Sequence, residues 1–149
     1  MVLIVKTTID ELFSSNGIDK LLEEYANESR NSLMPSVKPD ISLYKNMEKS
    51  GILDCIAVYD GFTIVGLISA ATVNIPHYNE LSTSIESFFV MKEYRKHGTA
   101  KKMLAMIEEL ANDRGSNILF MSAPIGSNLS KASRLMGMKP INTHYCKRI

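Results

Sequence analysis

The sequence predicts an α/β fold: one domain over residues 1–149, with a mixed central sheet of about six strands and helices on both faces. Three observations carry this. The hydrophobic period alternates between the helical and the extended one along the chain. In the second half, strand, helix and strand follow one another over residues 84–122, a right-handed parallel unit. A chain of 149 residues with 45% hydrophobic content is also long enough to bury a core without disulfides or metals.

Leu3 to Lys6 is a short β-prone run, and Thr7, Thr8 and Asp10 offer caps to a helical turn near Ile9 to Phe13. After Gly17, the residues Ile18, Leu21, Leu22, Tyr25 and Ala26 keep helical spacing until about Ser29. Asn31 to Asp40, with Pro35 and Pro39, reads as a loop, and Ile41 to Lys49 as a short helix stopped by Ser50-Gly51. Cys55 to Tyr59 and Thr63 to Val73 are β-branched, apolar runs around Asp60-Gly61, which signals a hairpin. A loop at Pro76-His77-Tyr78-Asn79 precedes a long strand from Ser84 to Met91. Helical spacing returns at Ala100, Met103, Leu104, Ile107, Leu110 and Ala111 and stops at Arg114-Gly115. Asn117 to Ser122 reads as a strand, Asn128 as the N-cap of a short helix ending at Gly137, and Thr143 to Arg148 as a last strand. Counting the full helices, the order is β-α-α-β-β-β-α-β-α-β.

The net charge of +1 hides a gradient. Residues 1–50 carry 6 basic and 8 acidic groups, residues 51–91 none and 4, and residues 92–149 carry 11 and 4. An anion site in the last third is the expectation. Cys55 and Cys146 have no metal or redox spacing. The first residues make too short an apolar run for a signal peptide, and no stretch reaches membrane-spanning length, so a cytoplasmic location with no membrane partner is expected. No P-loop, nucleophile-elbow or zincin motif occurs, and no metal is expected. The basic excess follows one turn and helix without interleaved stacking aromatics, so no specific nucleic-acid partner is expected.

The informative segment is the end of the Ser84 strand, the basic turn Lys92 to Gly98 and the helix after it. Free backbone N–H groups and the positive end of a helix dipole make such a helix start an anion site, and Gly98 allows close backbone approach. The run Arg95-Lys96-His97-Gly98-Thr99-Ala100 resembles the acyl-CoA-binding motif [QR]-x-x-G-x-[GA] of the GCN5-related N-acetyltransferase (GNAT) family. Val90-Met-Lys-Glu-Tyr94 resembles the family's approach to that motif, with Lys92 where many members have proline. The strand at Ile118 to Met121, the helix opening at Asn128 and its end at Gly137-Met138 are also similar. Compact single-domain members, bacteriophage-encoded ones included, resemble it most.

The resemblance implies an acetyltransferase that moves an acetyl group from acetyl-CoA to a primary amine by direct attack in a ternary complex. A non-catalytic acyl-CoA-binding regulatory module is the alternative. It further implies that N–H groups from Arg95 through Lys96, His97, Gly98, Thr99 and Ala100 to Lys101 hold the pyrophosphate, with Asn128 nearby. The strand edge at Phe89 and Val90 would pair with the pantetheine arm, which requires the Ser84 and Asn117 strands to splay. Paired subunits are common in the family, so a homodimer is the assembly it implies.

Glu86 is the expected base. Strand alternation sets Glu86, Phe88 and Val90 on one face and Ser87, Phe89 and Met91 on the other, and burial beside the phenylalanines would tune its carboxyl for proton removal. A carboxylate satisfied by hydrogen bonds is the competing reading. A backbone N–H near Val90 is the expected oxyanion donor. Many family members carry a tyrosine acid where Ser133 stands, so Tyr145 is the substitute candidate. His77 and Tyr78 are the candidates for the acceptor pocket, the loops at residues 29–40 and 74–83 are expected to set acceptor identity, and a small-molecule or protein amine is the expected acceptor. The acidic first two-thirds of the chain fits a cationic one.

Overall fold

The computed structural model describes all residues, Met1–Ile149. Its sheet is built from β1 (Leu3–Thr7), β2 (Leu53–Asp60), β3 (Thr63–Ile75), β4 (Glu80–Val90) and β5 (Ile118–Phe120), side by side in chain order. The first four are antiparallel neighbours, and β5 returns parallel to β4 through the helical crossover. The helices are α1 (Ile9–Phe13), α2 (Ile18–Glu28), α3 (Ile41–Lys49), α4 (Thr99–Asp113) and α5 (Asn128–Leu135). The mixed α/β sheet with helices on both faces is the expected class.

Local chemistry explains the starts of these helices. Thr8 and Glu11 form a capping box at α1, satisfying two backbone donors reciprocally. Asp40 caps α3 by accepting from the Leu43 N–H at 3.0 Å. At α2 the cap is Gly17, with φ of +85°, where a Cβ would stand 2.7 Å from the Thr63 side chain. Only glycine fits both the left-handed backbone and that close approach.

The core is one cluster that includes Ile56, Val58, Ile64 and Ile68 of the central strands, Leu21 of α2, and Met103 and Ile107 of α4. Successive residues of β2 show its two faces. Cys55 lines a cavity with α1, α2 and α3, whereas Asp54 turns the other way and meets Arg114 at the end of α4. Asp54 is 4% exposed and binds both Arg114 and, at 3.1 Å, Lys6. Arg114 also donates to the Gly51 carbonyl. These contacts tie α4 to β1 and to the entry of β2.

Two expectations are corrected. Thr143 to Arg148 forms no strand: residues 139–149 are exposed and irregular, leaving five strands where about six were expected. An isolated extended run with few apolar side chains gains nothing unless a neighbour pairs its backbone. The N-cap of α5 is Ser127, whose hydroxyl accepts from the Ser130 N–H at 3.1 Å, and Asn128 is the first helical residue.

Candidate active site

Two features meet on β4. The first is a free strand edge leading to an anion cradle. β5 pairs with β4 only at Ser82, Thr83 and Ser84, so the far part of β4 has no strand beside it on that side. All three residues of β5 are paired, so the edge is free because β5 ends there, and a free edge is what the expected pantetheine pairing needs. The Met91 N–H donates to the Val65 carbonyl at 2.8 Å, so by antiparallel alternation the backbone groups of Phe89 face β3 and those of Phe88 and Val90 face the open edge. The Val90 carbonyl is taken by Arg95 Nε at 2.8 Å, which leaves its N–H on the free side.

The chain then makes a single 3₁₀ turn at Lys92–Tyr94 and enters α4 through two left-handed residues, His97 (φ +62°) and Gly98 (φ +75°). No side chain caps α4, so its first N–H groups point outward as donors. A Cβ at Gly98 would meet nothing within 4 Å, and Lys96, His97 and Lys101 are exposed around it, with Thr99 buried beneath. Arg95 serves the turn differently from expectation. Its N–H donates weakly back to Lys92, and its guanidinium pairs with Glu28 of α2 and lies 5.3 Å from the Phe89 ring centre. The Glu28 carboxylate holds that guanidinium above its ordinary pKa, and the guanidinium holds the Glu28 carboxyl below its own. Arg95 therefore braces the cradle.

The second feature is a cavity of about 310 Å³ on the α1–α3 side, and Glu86 is in its wall. The β3–β4 register runs from Ser69 opposite Ser87 to Ala70 opposite Ile85, so Glu86 is the extra residue of a β-bulge. The bulge cancels the expected alternation. Ser69 Oγ lies 2.8 Å from a Glu86 carboxylate oxygen and 2.6 Å from Ser87 Oγ, so Glu86 and Ser87 reach the same side of the sheet. The other Glu86 oxygen accepts from the Tyr44 hydroxyl at 2.8 Å. Glu86 is exposed, not buried among phenylalanines, and its carboxylate accepts from these two hydroxyls. Burial first, and then the bond to Glu86, raises the Tyr44 pKa. Tyr25 stacks on Phe89 with ring centres 5.1 Å apart, and its pKa is raised by burial. Both phenols stay protonated. The Cys55 thiol is pushed up to about 12, chiefly by burial, and is a neutral part of the wall.

The family model for the acetyltransferase (GNAT) family matches residues 16–130. The chain belongs to the GNAT acetyltransferases. Solved structures agree on the fold. A ribosomal-protein-alanine N-acetyltransferase from Brucella melitensis biovar Abortus superposes with a TM-score of 0.73 at 16% identity, covering 100% of this chain and 99% of that one. An aminoglycoside acetyltransferase from an uncultured soil metagenomic sample, in complex with sisomicin, gives 0.75 at 14% identity over 99% and 96%. A predicted acetyltransferase from Clostridium acetobutylicum with acetyl-CoA gives 0.75 at 15% identity over 99% and 96%. No curated protein matches by sequence.

As a GNAT acetyltransferase the chain uses acetyl-CoA as cosubstrate, and the free β4 edge, the uncapped α4 and the open left-handed Gly98 fit an amide-bearing, phosphate-bearing molecule. Other expected site residues of this acetyltransferase lie apart. His77 and Tyr78 form the tip of the β3–β4 hairpin, edge to face at 4.9 Å, and do not line the Glu86 cavity. Residues 35–39 wall it instead. Tyr145 is 92% exposed in the irregular C-terminal segment, because the strand meant to carry it does not form. The Ser133 hydroxyl bonds to the Leu129 carbonyl at 2.7 Å, within its own helix. Asn128 is exposed at the start of α5. Sequence reasoning missed Tyr25, Tyr44 and Ser69. Tyr25 carried only a core signal, at helical spacing with Leu21 and Leu22, and the bulge that gathers the others leaves no local trace.

Proposed function

We propose that this acetyltransferase transfers the acetyl group directly onto a primary amine held in the Glu86 cavity, with Glu86 as the general base. The observation that carries the reading is the bulge at Glu86, between the cavity and the free edge of β4. Bound acetyl-CoA supplies an activated acyl group as a thioester. The backbone N–H groups from His97 to Lys101 hold its phosphates at the α4 dipole, assisted by the charges of Lys96 and Lys101. The Val90 N–H is the donor for developing negative charge on the carbonyl oxygen. Glu86 first anchors the ammonium form of the acceptor and then takes its proton. Tyr44 and Ser69 fix the carboxylate while it does so, and holding both reactants in one geometry supplies much of the acceleration.

As the N–C bond forms the thioester C–S bond breaks, and the departing thiolate takes its proton from water, so no side chain is assigned as a general acid. Residues 35–39, rather than the hairpin at 76–79, shape the acceptor site. The test is thiol release from acetyl-CoA over a panel of amines with wild type and Glu86→Gln. Loss of about 10²- to 10⁴-fold in kcat, with acetyl-CoA affinity kept, is the expected result for a general base. Equal rates would remove Glu86 from the chemistry.

A further inference from the structure

The cavity has one carboxylate in its wall. Most of the remaining surface is apolar, including Phe13, Leu22, Tyr25, Val37 and Tyr44, and the only other charged lining group is Lys38. No other carboxylate lines the cavity, and several others have partners of their own. Glu48 accepts from the Ile9 N–H at 2.9 Å, Asp10 pairs with Lys45, and Glu28 pairs with Arg95. Glu86 is left to meet a substrate cation. A second ammonium group entering this space would lose water and meet the like charge of Lys38 with no second carboxylate to pair with. A neutral, flat body would bury its surface against those rings. The volume of about 310 Å³ corresponds to roughly ten waters and lies at the small end for ligand sites.

We infer that the acceptor is a small aromatic monoamine: one primary ammonium bound at Glu86 and one ring seated among Phe13, Tyr25 and Tyr44. This rests on the Glu86 cavity being the acceptor site. It also narrows the cationic acceptor that the acidic first two-thirds of the chain suggested to a single charge, because the cavity wall carries a single carboxylate.

The experiment measures binding of phenethylamine, spermidine and sisomicin to the CoA-saturated protein by calorimetry, alongside acetyl transfer to each. Phenethylamine is expected to bind at least about tenfold more tightly than either polycation, since it alone matches one charge with one carboxylate. Val37→Asp sets a second carboxylate in the wall on an exposed loop residue. It is expected to narrow that preference about fivefold or more, with an unchanged melting temperature. Binding of spermidine or sisomicin as tight as that of phenethylamine in the wild type would overturn the inference, whether or not transfer occurs. An unchanged preference in Val37→Asp would overturn it too. Aromatic preference in binding without acetyl transfer to any amine would leave the acceptor class standing and remove the transfer reading, so the two fail separately.

Discussion

Glu86 depends on three hydroxyls for its orientation, two of them direct partners. Tyr44 donates from α3 and Ser69 from β3, and Ser87 supports Ser69. A hydrogen bond to a charged group contributes about 1.5–3 kcal/mol, so Tyr44→Phe is expected to cost on the order of tenfold in kcat/KM. Its ring would remain beside Phe13, 6.2 Å away centre to centre, so the melting temperature should hardly move. Steady-state kinetics with a thermal melt separates the two effects. A full rate in this variant would mean that the carboxylate needs no such support. The same logic makes Ser69→Ala damaging, and there the loss should be larger because Ser87 loses its partner as well.

At the scale of elements, the decisive junction is the one from β4 to α4. Gly98 has φ of +75° and open space around it. A side chain there would hold strained backbone, about 1–2 kcal/mol, and would stand where the proposed site takes the phosphates. Gly98→Glu adds a negative charge at the positive end of the helix, so CoA affinity should fall at least about tenfold while the chain stays folded. Titration with CoA checks this, and unchanged affinity would move the cofactor site elsewhere. Arg95 braces the same junction through Glu28 and the Val90 carbonyl. Arg95→Ala should therefore weaken CoA severalfold and lower stability by about 1–2 kcal/mol, read by urea unfolding.

For the whole molecule, charge segregation and one buried ionic cluster have separate consequences. With the phosphates held at the start of α4 as proposed, CoA binding is expected to weaken as salt screens the basic residues there, a slope to be read between low and physiological ionic strength. Asp54 governs stability instead. Burial opposes its charge, but Arg114 and Lys6 outweigh that and depress its pKa below the usual 3.8. A carboxyl depressed on folding stabilises above its unfolded pKa, and that contribution is lost as pH falls through the lower folded value. Asp54→Asn should cost about 1–3 kcal/mol at neutral pH, and the gap from wild type should close below about pH 4 in urea melts. No helix is long and apolar enough to cross a membrane. The amino-acid sequence determined the strand and helix succession as far as α5 and the left-handed glycine turn into α4, because hydrophobic period, caps and a left-handed glycine act within a few residues. Only the tertiary structure decided the acceptor end. The bulge at Glu86 is a property of cross-strand register, Tyr25, Tyr44 and Ser69 converge on it from separate elements, and of the two loops expected to set the acceptor only the one before α3 walls the cavity, at residues 35–39. The last strand failed for the same reason, since pairing is decided by a neighbour and not by the run itself.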